Sequence, residues 1–124
     1  MENSAANEAL ISDLLTNYFN GIYNGDVPLL QSVFHSQALI GFDINGETHF
    51  KTLNQYLEGV KNRKSPRELG EEFKMKILSV EIINNTAVAK VQVPIFEFDY
   101  YDFLSLIITD NKWVIINKLA SKVN

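Results

Sequence analysis

The segment EFDYYDFLSL, residues 97–106, carries three carboxylates and four aromatic side chains within ten positions. In an extended strand alternate side chains share a face, so Asp102 is predicted to lie on the same face as Tyr100 and Leu104. A carboxylate in such apolar surroundings needs hydrogen bonds or an opposite charge. Asp102 is therefore either an acid in a cavity wall that orients or protonates a ligand, or a structural carboxylate paired with a tyrosine hydroxyl or a lysine of the next strand.

Tyr18 is the predicted partner of that acid. It lies on the apolar stripe of a helix predicted over residues 8–24, which turns its ring inward, and a buried tyrosine hydroxyl needs a hydrogen-bond partner. We therefore expect the Tyr18 hydroxyl to donate to Asp102. Tyr56, on the apolar face of a helix predicted over residues 52–63, is a further polar group directed into the interior.

The other reactive residue types form no catalytic or metal-binding pattern. The chain has no cysteine, and its two histidines, His35 and His49, have no acidic residue at the spacing of a zinc motif. His35 follows the second predicted helix, where a histidine suits the helix dipole, whereas His49 follows a hairpin and could reach the mouth of a cavity. The sequence also lacks a GxSxG nucleophile motif and a phosphate-binding glycine loop. We predict no metal and no cofactor.

Length and composition indicate one globular domain over residues 1–124, with 46% hydrophobic residues and a formal net charge of −4. The densest basic stretch, KNRKSPR at residues 61–67, has no interleaved aromatic residue, which argues against nucleic acid as a partner. The apolar runs are too short to span a membrane, and MENSAANEAL lacks the regions of a signal peptide. The sequence therefore predicts a cytoplasmic protein that contacts neither nucleic acid nor a membrane.

Helical periodicity comes first along the chain and strand periodicity follows, which is the order of the α+β class. Gly25 suits the left-handed residue that ends the first helix, and Asp26 is placed to cap a short second helix. Thr52 and Gln55 have the spacing of a capping box at the start of the third helix.

The strands are predicted from alternation and turn residues. A short strand over residues 38–44 leads into an Asn45-Gly46 hairpin turn. The alternation changes parity near Leu78-Ser79, which indicates a bulge there. Four long strands are predicted over residues 72–83, 86–96, 98–109 and 112–121.

Both faces of the strand over residues 98–109 are rich in large apolar side chains. The face opposite Asp102 carries Tyr101, Phe103 and Ile107. Three helices can cover only one face of a curved sheet, and leaving a large side chain in water forfeits roughly 1.5–3 kcal/mol. We therefore expect the second face to be buried in a homodimer packed sheet to sheet.

The order helix, NGD, short helix, FHSQA, hairpin, helix and curved meander resembles the nuclear transport factor two-like superfamily, also called SnoaL-like or ketosteroid isomerase-like, over essentially the whole chain. Within it, YYDFLSLIITDNKWVIINK at residues 100–118 is similar to the putative lumazine-binding subgroup. The resemblance implies a cystatin-like α+β cone, in which three N-terminal helices pack on a strongly curved antiparallel sheet around a cavity, and a dimer. It implies no particular reaction, because this fold hosts isomerases, dehydratases, cyclases and binding proteins.

The isomerase members of the superfamily offer a template for catalytic residues. Their oxyanion-binding tyrosine precedes the aspartate of the Gly-Asp turn by eight residues, and Tyr18 has that spacing. The base of the template corresponds to Phe42, whose ring cannot accept a proton, and Asp43 beside it is predicted to project from the opposite face. The second acid of the template corresponds to Phe103, one residue from Asp102.

The sequence favours a small-molecule binding protein with a mostly apolar cavity that takes a small hydrophobic ligand. The alternative is an enzyme of the isomerase, dehydratase or cyclase type that uses Asp102 or His49 with Tyr18. A module that only dimerises is a third hypothesis. Trp113 heads an inward set with Ile115 and Leu119 that is typical of core. No catalytic residue is assigned, and the predicted ligand-binding residues are Tyr18, Phe42, His49, Tyr56, Tyr100, Asp102 and Trp113.

Overall fold

The computed structural model describes residues 4–123 as three helices packed on a six-stranded sheet. None of these helices is long and apolar enough to cross a bilayer. The helices are α1 (Ser4–Asn24), α2 (Val27–Val33) and α3 (Leu53–Asn62). The strands are β1 (Phe34–Ile44), β2 (Glu47–Thr52), β3 (Lys76–Ile83), β4 (Thr86–Ile95), β5 (Phe98–Thr109) and β6 (Lys112–Val123).

The sheet has the strand order β2-β1-β6-β5-β4-β3. Neighbouring strands are antiparallel except for β1 and β6, which are parallel. The predicted α+β class is confirmed, but the sheet is mixed rather than wholly antiparallel. The chain passes through α3 between β2 and β3, so β3 runs in the same direction as β2. Three antiparallel hairpins then connect β3 to β6, and β6 therefore runs parallel to β1.

The helix boundaries follow from local signals that the sequence contains. α1 ends at a left-handed residue, Gly25, whose φ is 65°. The Asp26 carboxylate accepts the Leu29 N–H at 3.1 Å and caps α2 as predicted. The buried stripe of α1 consists of Ile11, Leu14, Leu15, Tyr18, Phe19 and Ile22, whereas the apolar Leu10 of the same helix is exposed.

A capping box starts α3 and aims its apolar face at the sheet. The Thr52 hydroxyl accepts the Gln55 N–H at 3.2 Å, and the Gln55 side chain accepts the Thr52 N–H at 2.9 Å. The predicted box is therefore confirmed. The residues that α3 buries are Leu53, Tyr56, Leu57 and Val60.

Several strand boundaries differ from the sequence prediction, including the ends of β4, at residue 95 rather than 96, and of β6, at residue 123 rather than 121. β1 begins at Phe34 rather than at residue 38, because Phe34 ends α2 in an extended conformation. Residues 47–52 form a strand whose side chains are all exposed, so they lack the alternation that marks a half-buried strand. β3 begins at residue 76 rather than 72, because its pairing with β4 ends before Pro94, which has no N–H to donate.

Two bulges decide which side chains face the helices. The register of β3 with β4 shifts between Ile77 and Ser79, where the sequence predicts a bulge. A second shift lies between β5 and β6 and leaves Ile116 as an additional residue in β6. This second bulge was not predicted, and it changes the face of every later side chain in β6.

The bulge in β6 directs the side chain of Lys118 into the core. Trp113 and Ile115 are buried before the bulge, as predicted. After it Lys118 is buried, at 5% exposure, whereas Leu119, predicted to face inward, is 52% exposed. The predicted inward set of Trp113, Ile115 and Leu119 is therefore wrong at its last member.

The turn between β4 and β5 has a strained backbone. Phe96 and Glu97 both have left-handed φ values, of 57° and 67°. The corresponding turns at residues 45–46 and 110–111 use glycine, asparagine and aspartate, which tolerate this conformation. A bulky residue there costs about 1–3 kcal/mol and persists only when its surroundings hold it. The Glu71 carboxylate does so, because it accepts the Phe96 N–H at 2.9 and 3.0 Å.

We expect Glu97→Gly to raise the free energy of unfolding by about 1 kcal/mol. Glycine adopts positive φ without steric cost, and this gain exceeds the loss that comes from the greater entropy of glycine in the unfolded chain. Urea unfolding measures this change. Asn111→Gly, in the β5–β6 turn at φ 63°, is the matched control and should change stability less, because asparagine already tolerates the conformation. A Glu97→Gly variant no more stable than its parent would contradict the strain.

Candidate functional site

A buried carboxylate on β5 is the centre of the candidate site. Asp102 is 1% exposed, and its Oδ2 accepts a hydrogen bond from the Tyr18 hydroxyl at 2.5 Å. Tyr18 is itself fully buried, because α1 packs its apolar stripe against the sheet. The hydrogen bond predicted between these two residues is confirmed.

Lys118 brings a positive charge to the same carboxylate oxygen. Its Nζ lies 3.8 Å from Asp102 Oδ2 and donates a hydrogen bond to the Tyr56 hydroxyl at 3.0 Å. The ammonium also lies 4.4 Å from the centre of the Tyr56 ring and 5.2 Å from that of Tyr18. A buried lysine needs such partners, and here a carboxylate, a phenol and two ring faces supply them.

Tyr18 is held as a neutral donor. Burial raises the pKa of its phenol well above the ordinary value of 10.0, and the charge of Asp102 raises the pKa further. The charge of Arg63 acts in the opposite direction and does not cancel these effects. At neutral pH the phenol therefore serves Asp102 as a hydrogen-bond donor and cannot act as a base.

The second carboxylate oxygen of Asp102 is buried without a partner. No donor among residues 4–123 lies within hydrogen-bond distance of Oδ1. An unsatisfied buried acceptor costs about 1–3 kcal/mol, and more when it is charged. Asp102 also lines a cavity of about 60 Å³, together with Ile22, Phe42, Tyr56, Arg63, Val93, Ile95, Phe96, Tyr100, Lys118 and Ala120.

Arg63 and Phe96 form part of the rim of this cavity. Both are partly exposed, and the Arg63 guanidinium stacks over the Phe96 ring at 4.9 Å from its centre. Arg63 is the C-cap residue of α3, and Phe96 lies in the strained β4–β5 turn held by Glu71. The strained turn therefore positions an aromatic ring at the rim of the cavity.

Most of the predicted site residues lie at this cluster. Phe42, Tyr56, Tyr100 and Asp102 line the cavity. Tyr18 does not line it, because its hydroxyl contacts Asp102 from the side of the helices. The structure therefore gives Tyr18 contact with the carboxylate rather than with the cavity.

The histidines and Trp113 lie away from the cluster. His49 is opposite Phe42 in the register, but it is exposed on the edge strand β2, beyond the cover of the helices. Trp113 is a core residue whose Nε1 donates to the Asn7 side chain at 3.1 Å. His35 follows the α2 C-cap Phe34 at the start of β1, and its Nδ1 accepts the Gln37 N–H at 3.0 Å. Among residues 4–123 no cluster of three His, Asp or Glu side chains could hold a metal ion.

Sequence reasoning offered a lysine of the next strand as a partner of Asp102 without identifying Lys118, and it missed Arg63. The regular alternation of β6 assigns Lys118 to the outer face, and only the bulge at Ile116 reverses this. The available signal was indirect: a buried Asp102 predicts a lysine on the neighbouring strand. Arg63 follows the last turn of α3, where a basic residue is ordinary and gives no indication of a cavity.

The residues of the isomerase template are not brought together. Phe42 lines the cavity at the position of the template's base. Asp43 is exposed, and its carboxylate accepts the Gly46 N–H at 3.1 Å in the hairpin turn. Phe103, at the position of the second acid, is exposed on the face opposite Asp102. The carboxylate that faces inward, Asp102, thus lies one residue before the position of the template's second acid.

A larger groove of about 510 Å³ lies beside α1 and the β5–β6 turn. Its volume is typical of ligand pockets, and two of its polar side chains have partners within the chain. The Asn7 side chain accepts the Trp113 N–H, and Lys112 donates to the Ser32 carbonyl at 3.1 Å. We place the candidate site at Asp102, because the unsatisfied buried charge lies there and because the groove is open to water.

Residues 6–120 match the family described as "Putative lumazine-binding". The chain belongs to this family. Among solved structures it is similar to NTF2-like proteins of unknown function from three bacteria. The protein from Shewanella baltica is 20% identical with a TM-score of 0.88, and 100% of this chain and 99% of that chain are covered. The protein from Methylobacillus flagellatus is also 20% identical, with a TM-score of 0.87 and coverage of 99% and 97%.

The third, from Silicibacter pomeroyi, is 18% identical with a TM-score of 0.85, and 98% of this chain and 100% of that chain are covered. Likeness at these identities shows the fold and no activity. The family match confirms the predicted putative lumazine-binding subgroup, and the structural likeness confirms the predicted NTF2-like α+β fold. Comparison with curated proteins gives no match.

In this NTF2-like protein we expect Tyr18→Phe to lower the free energy of unfolding by about 1.5–3 kcal/mol, because a buried carboxylate loses its hydrogen-bond donor. Tyr23→Phe is the matched control. It removes a hydroxyl that donates to the uncharged Glu71 carbonyl at 2.6 Å, and it should cost about 1 kcal/mol. Equal losses in urea unfolding would show that the charge of Asp102 does not strengthen the Tyr18 hydrogen bond.

The raised pKa of Tyr18 also predicts a loss of stability at alkaline pH. Above pH 10.0 the unfolded phenol releases its proton while the folded phenol keeps it. The folded state then binds more protons, so the free energy of unfolding falls with pH until the folded pKa is passed. We expect Tyr18→Phe to reduce this slope between about pH 9 and 11, and unchanged slopes would contradict the assigned burial.

Proposed function

We propose that this protein binds a small molecule in the cavity beside Asp102 and Lys118. The observation that carries the proposal is the unpartnered Oδ1 of Asp102. A buried carboxylate with an unused acceptor lowers stability unless a donor from a ligand or an ordered water completes it. A ligand that donates to this oxygen would give the buried charge its missing partner.

The part of the ligand that enters the cavity is small and polar. A cavity of about 60 Å³ accommodates roughly three or four non-hydrogen atoms. The sequence favoured a mostly apolar cavity with a hydrophobic ligand, but the charges of Asp102 and Lys118 favour a polar group at this position. A larger ligand would extend past Arg63 and Phe96 at the rim.

Binding has more support than catalysis. A general acid or base must lie within hydrogen-bond reach of the substrate proton that it moves. Tyr18 does not line the cavity and its hydroxyl donates to Asp102, and His49 is exposed on β2. The catalytic alternative thus retains Asp102 but loses His49, the other candidate acid or base, and the contact of Tyr18 with a substrate in the cavity.

The test is a ligand-observed NMR screen of water-soluble fragments of up to about six non-hydrogen atoms, a size chosen to suit the cavity. The screen compares the parent with Asp102→Asn and with the matched variant Asp13→Asn, which changes the larger groove instead. We expect fragments that bind the parent to be lost or altered in Asp102→Asn and kept in Asp13→Asn. Fragments lost only in Asp13→Asn would place the ligand in the groove and contradict the proposal.

We further propose a homodimer formed through the sheet face opposite the helices. Leu39, Phe50 and Leu119 line one groove on this face, and Phe103 is opposite Leu119 in the β5–β6 register. Phe50 is 83% exposed. A protruding ring beside an apolar groove on the same face suits a two-fold contact, in which each copy offers both parts. The cytoplasmic location and the lack of nucleic-acid or membrane contacts stay predictions from the sequence.

Sedimentation at micromolar concentration should give twice the chain mass of 14.1 kDa. Leu119→Glu should shift the protein to monomer, because it places a charge in the apolar contact. Leu10→Glu is the matched control, since Leu10 is also 52% exposed but lies on α1, and this variant should stay dimeric. A parent that sediments only as a 14.1 kDa species would overturn the dimer.

A further inference from the structure

We infer that the cavity recognises a neutral planar group in which an N–H donor lies beside a carbonyl oxygen, as in a primary amide or a lactam. The inference rests on the proposed function of the cavity and names the chemistry of its ligand. It follows from the hydrogen-bonding capacity that Asp102, Lys118 and Tyr56 leave unused, from the charge balance of the cavity, and from its size and aromatic walls.

The acceptor of the cavity is Asp102 Oδ1. Its other oxygen, Oδ2, already accepts from Tyr18, which does not line the cavity. Oδ1 has no donor among residues 4–123 and Asp102 lines the cavity, so Oδ1 is the oxygen that we assign to a ligand in the cavity. An ionised carboxylate only accepts hydrogen bonds, and the ligand must therefore donate one.

The donors of the cavity are Lys118 and Tyr56. An ammonium has three N–H donors, and within the described chain only the Tyr56 hydroxyl accepts from Lys118 at hydrogen-bond distance. Asp102 Oδ2, at 3.8 Å, is beyond that distance. The Tyr56 hydroxyl accepts from Lys118 and keeps its own proton to donate. The ligand must therefore offer an acceptor on this side.

Charge balance selects a neutral group. Asp102 and Lys118 are both buried and have opposite charges, so together they contribute no net charge. A carboxylate in the cavity would face the like charge of Asp102, and a cation would face that of Lys118, and each would also have to be desolvated. An amide has no net charge to desolvate. Its N–H can donate to Asp102, and its C=O can accept from Lys118.

Size and shape also suit an amide. The cavity volume of about 60 Å³ is close to that of a group of roughly four non-hydrogen atoms, the number in acetamide. Aromatic rings line it from several sides, and a flat group packs well against ring faces. These rings belong to Phe42, Tyr56, Phe96 and Tyr100.

Arg63 is a third charged residue at the cavity, and its positive charge favours an anionic ligand. It is partly exposed and stacked on Phe96 at the rim. Solvent therefore weakens its field within the cavity more than it weakens that of the buried pair. The competing ligand class is consequently a carboxylate held by Arg63 and Lys118, and the experiment has to separate the two.

The experiment titrates three probes of nearly equal size and shape, namely acetamide, acetate and acetamidinium, into the full chain labelled with nitrogen-15. Backbone amide shifts near Asp102, Lys118 and Tyr56 report binding in the cavity. We expect acetamide to bind at least about tenfold more tightly than acetate or acetamidinium, because each charged probe meets a like charge. Asp13→Asn, in the larger groove, should leave this order unchanged.

Asp102→Asn gives a test in which one probe is expected to bind more tightly than it binds the parent. Asparagine keeps an acceptor for Tyr18 and replaces the free acceptor with an N–H₂ donor. We expect this variant to bind acetamide at least about tenfold more weakly than the parent and to bind acetate more tightly. A gain of acetate binding also demonstrates that the variant is folded.

The remaining outcomes separate the inference from the proposed function. Tightest binding of acetate to the parent would overturn the amide and leave an anion site at Lys118 and Arg63. Tightest binding of acetamidinium would overturn it in favour of a cation held by Asp102. If no probe shifts the cavity amides of the parent, both the inference and the binding function are overturned, and the cluster is structural.

Discussion

Burial of the Asp102–Lys118 pair is the constraint on which the arrangement of the helices and the sheet depends. Removing each ion from water costs several kcal/mol, and mutual attraction offsets this only when further hydrogen bonds are made. Those hydrogen bonds come from Tyr18 on α1 and Tyr56 on α3. Each helix must therefore lie at the position from which its tyrosine reaches the pair, so the pair links both helices to β5 and β6.

The bulge at Ile116 makes this arrangement possible and also shapes the other side of the sheet. Without the additional residue, Leu119 would face the core and Lys118 would face outward. With it, the lysine enters the polar cluster and the leucine joins the exposed apolar face with Phe50 and Phe103. One irregularity in β6 therefore supplies a residue to both proposed contacts, Lys118 to the one with a ligand and Leu119 to the one with a second copy.

The sequence predicts those features that depend on neighbouring residues in the chain. The end of α1 at Gly25, the caps at Asp26 and Thr52, and the inward direction of Asp102 with Tyr18 all follow from local spacing and are confirmed. The signals are strong because a cap or an alternation is completed within a few residues.

The missed features depend on pairing between distant segments. The parallel contact of β1 with β6 and the bulge in β6 become visible only when both strands are in place. The exposed edge strand β2 has no apolar face to mark it. The strained turn at Phe96 has no glycine or asparagine, and its conformation depends on Glu71, which is distant in sequence. Local patterns carry no information about such contacts.

Two energetically unfavourable features occur at the cavity, and neither depends on the other. Their occurrence together is the strongest reason to regard the cavity as a site. The Asp102 carboxylate keeps an unpartnered oxygen, and the rim residue Phe96 occupies a left-handed conformation. Neither is needed for the fold, because an apolar pair could replace the buried charges and a glycine-containing turn could connect β4 with β5. Unsatisfied polar groups and strained backbone recur at functional sites, where they prepare a site for its ligand. Here a single cavity of about 60 Å³ has both.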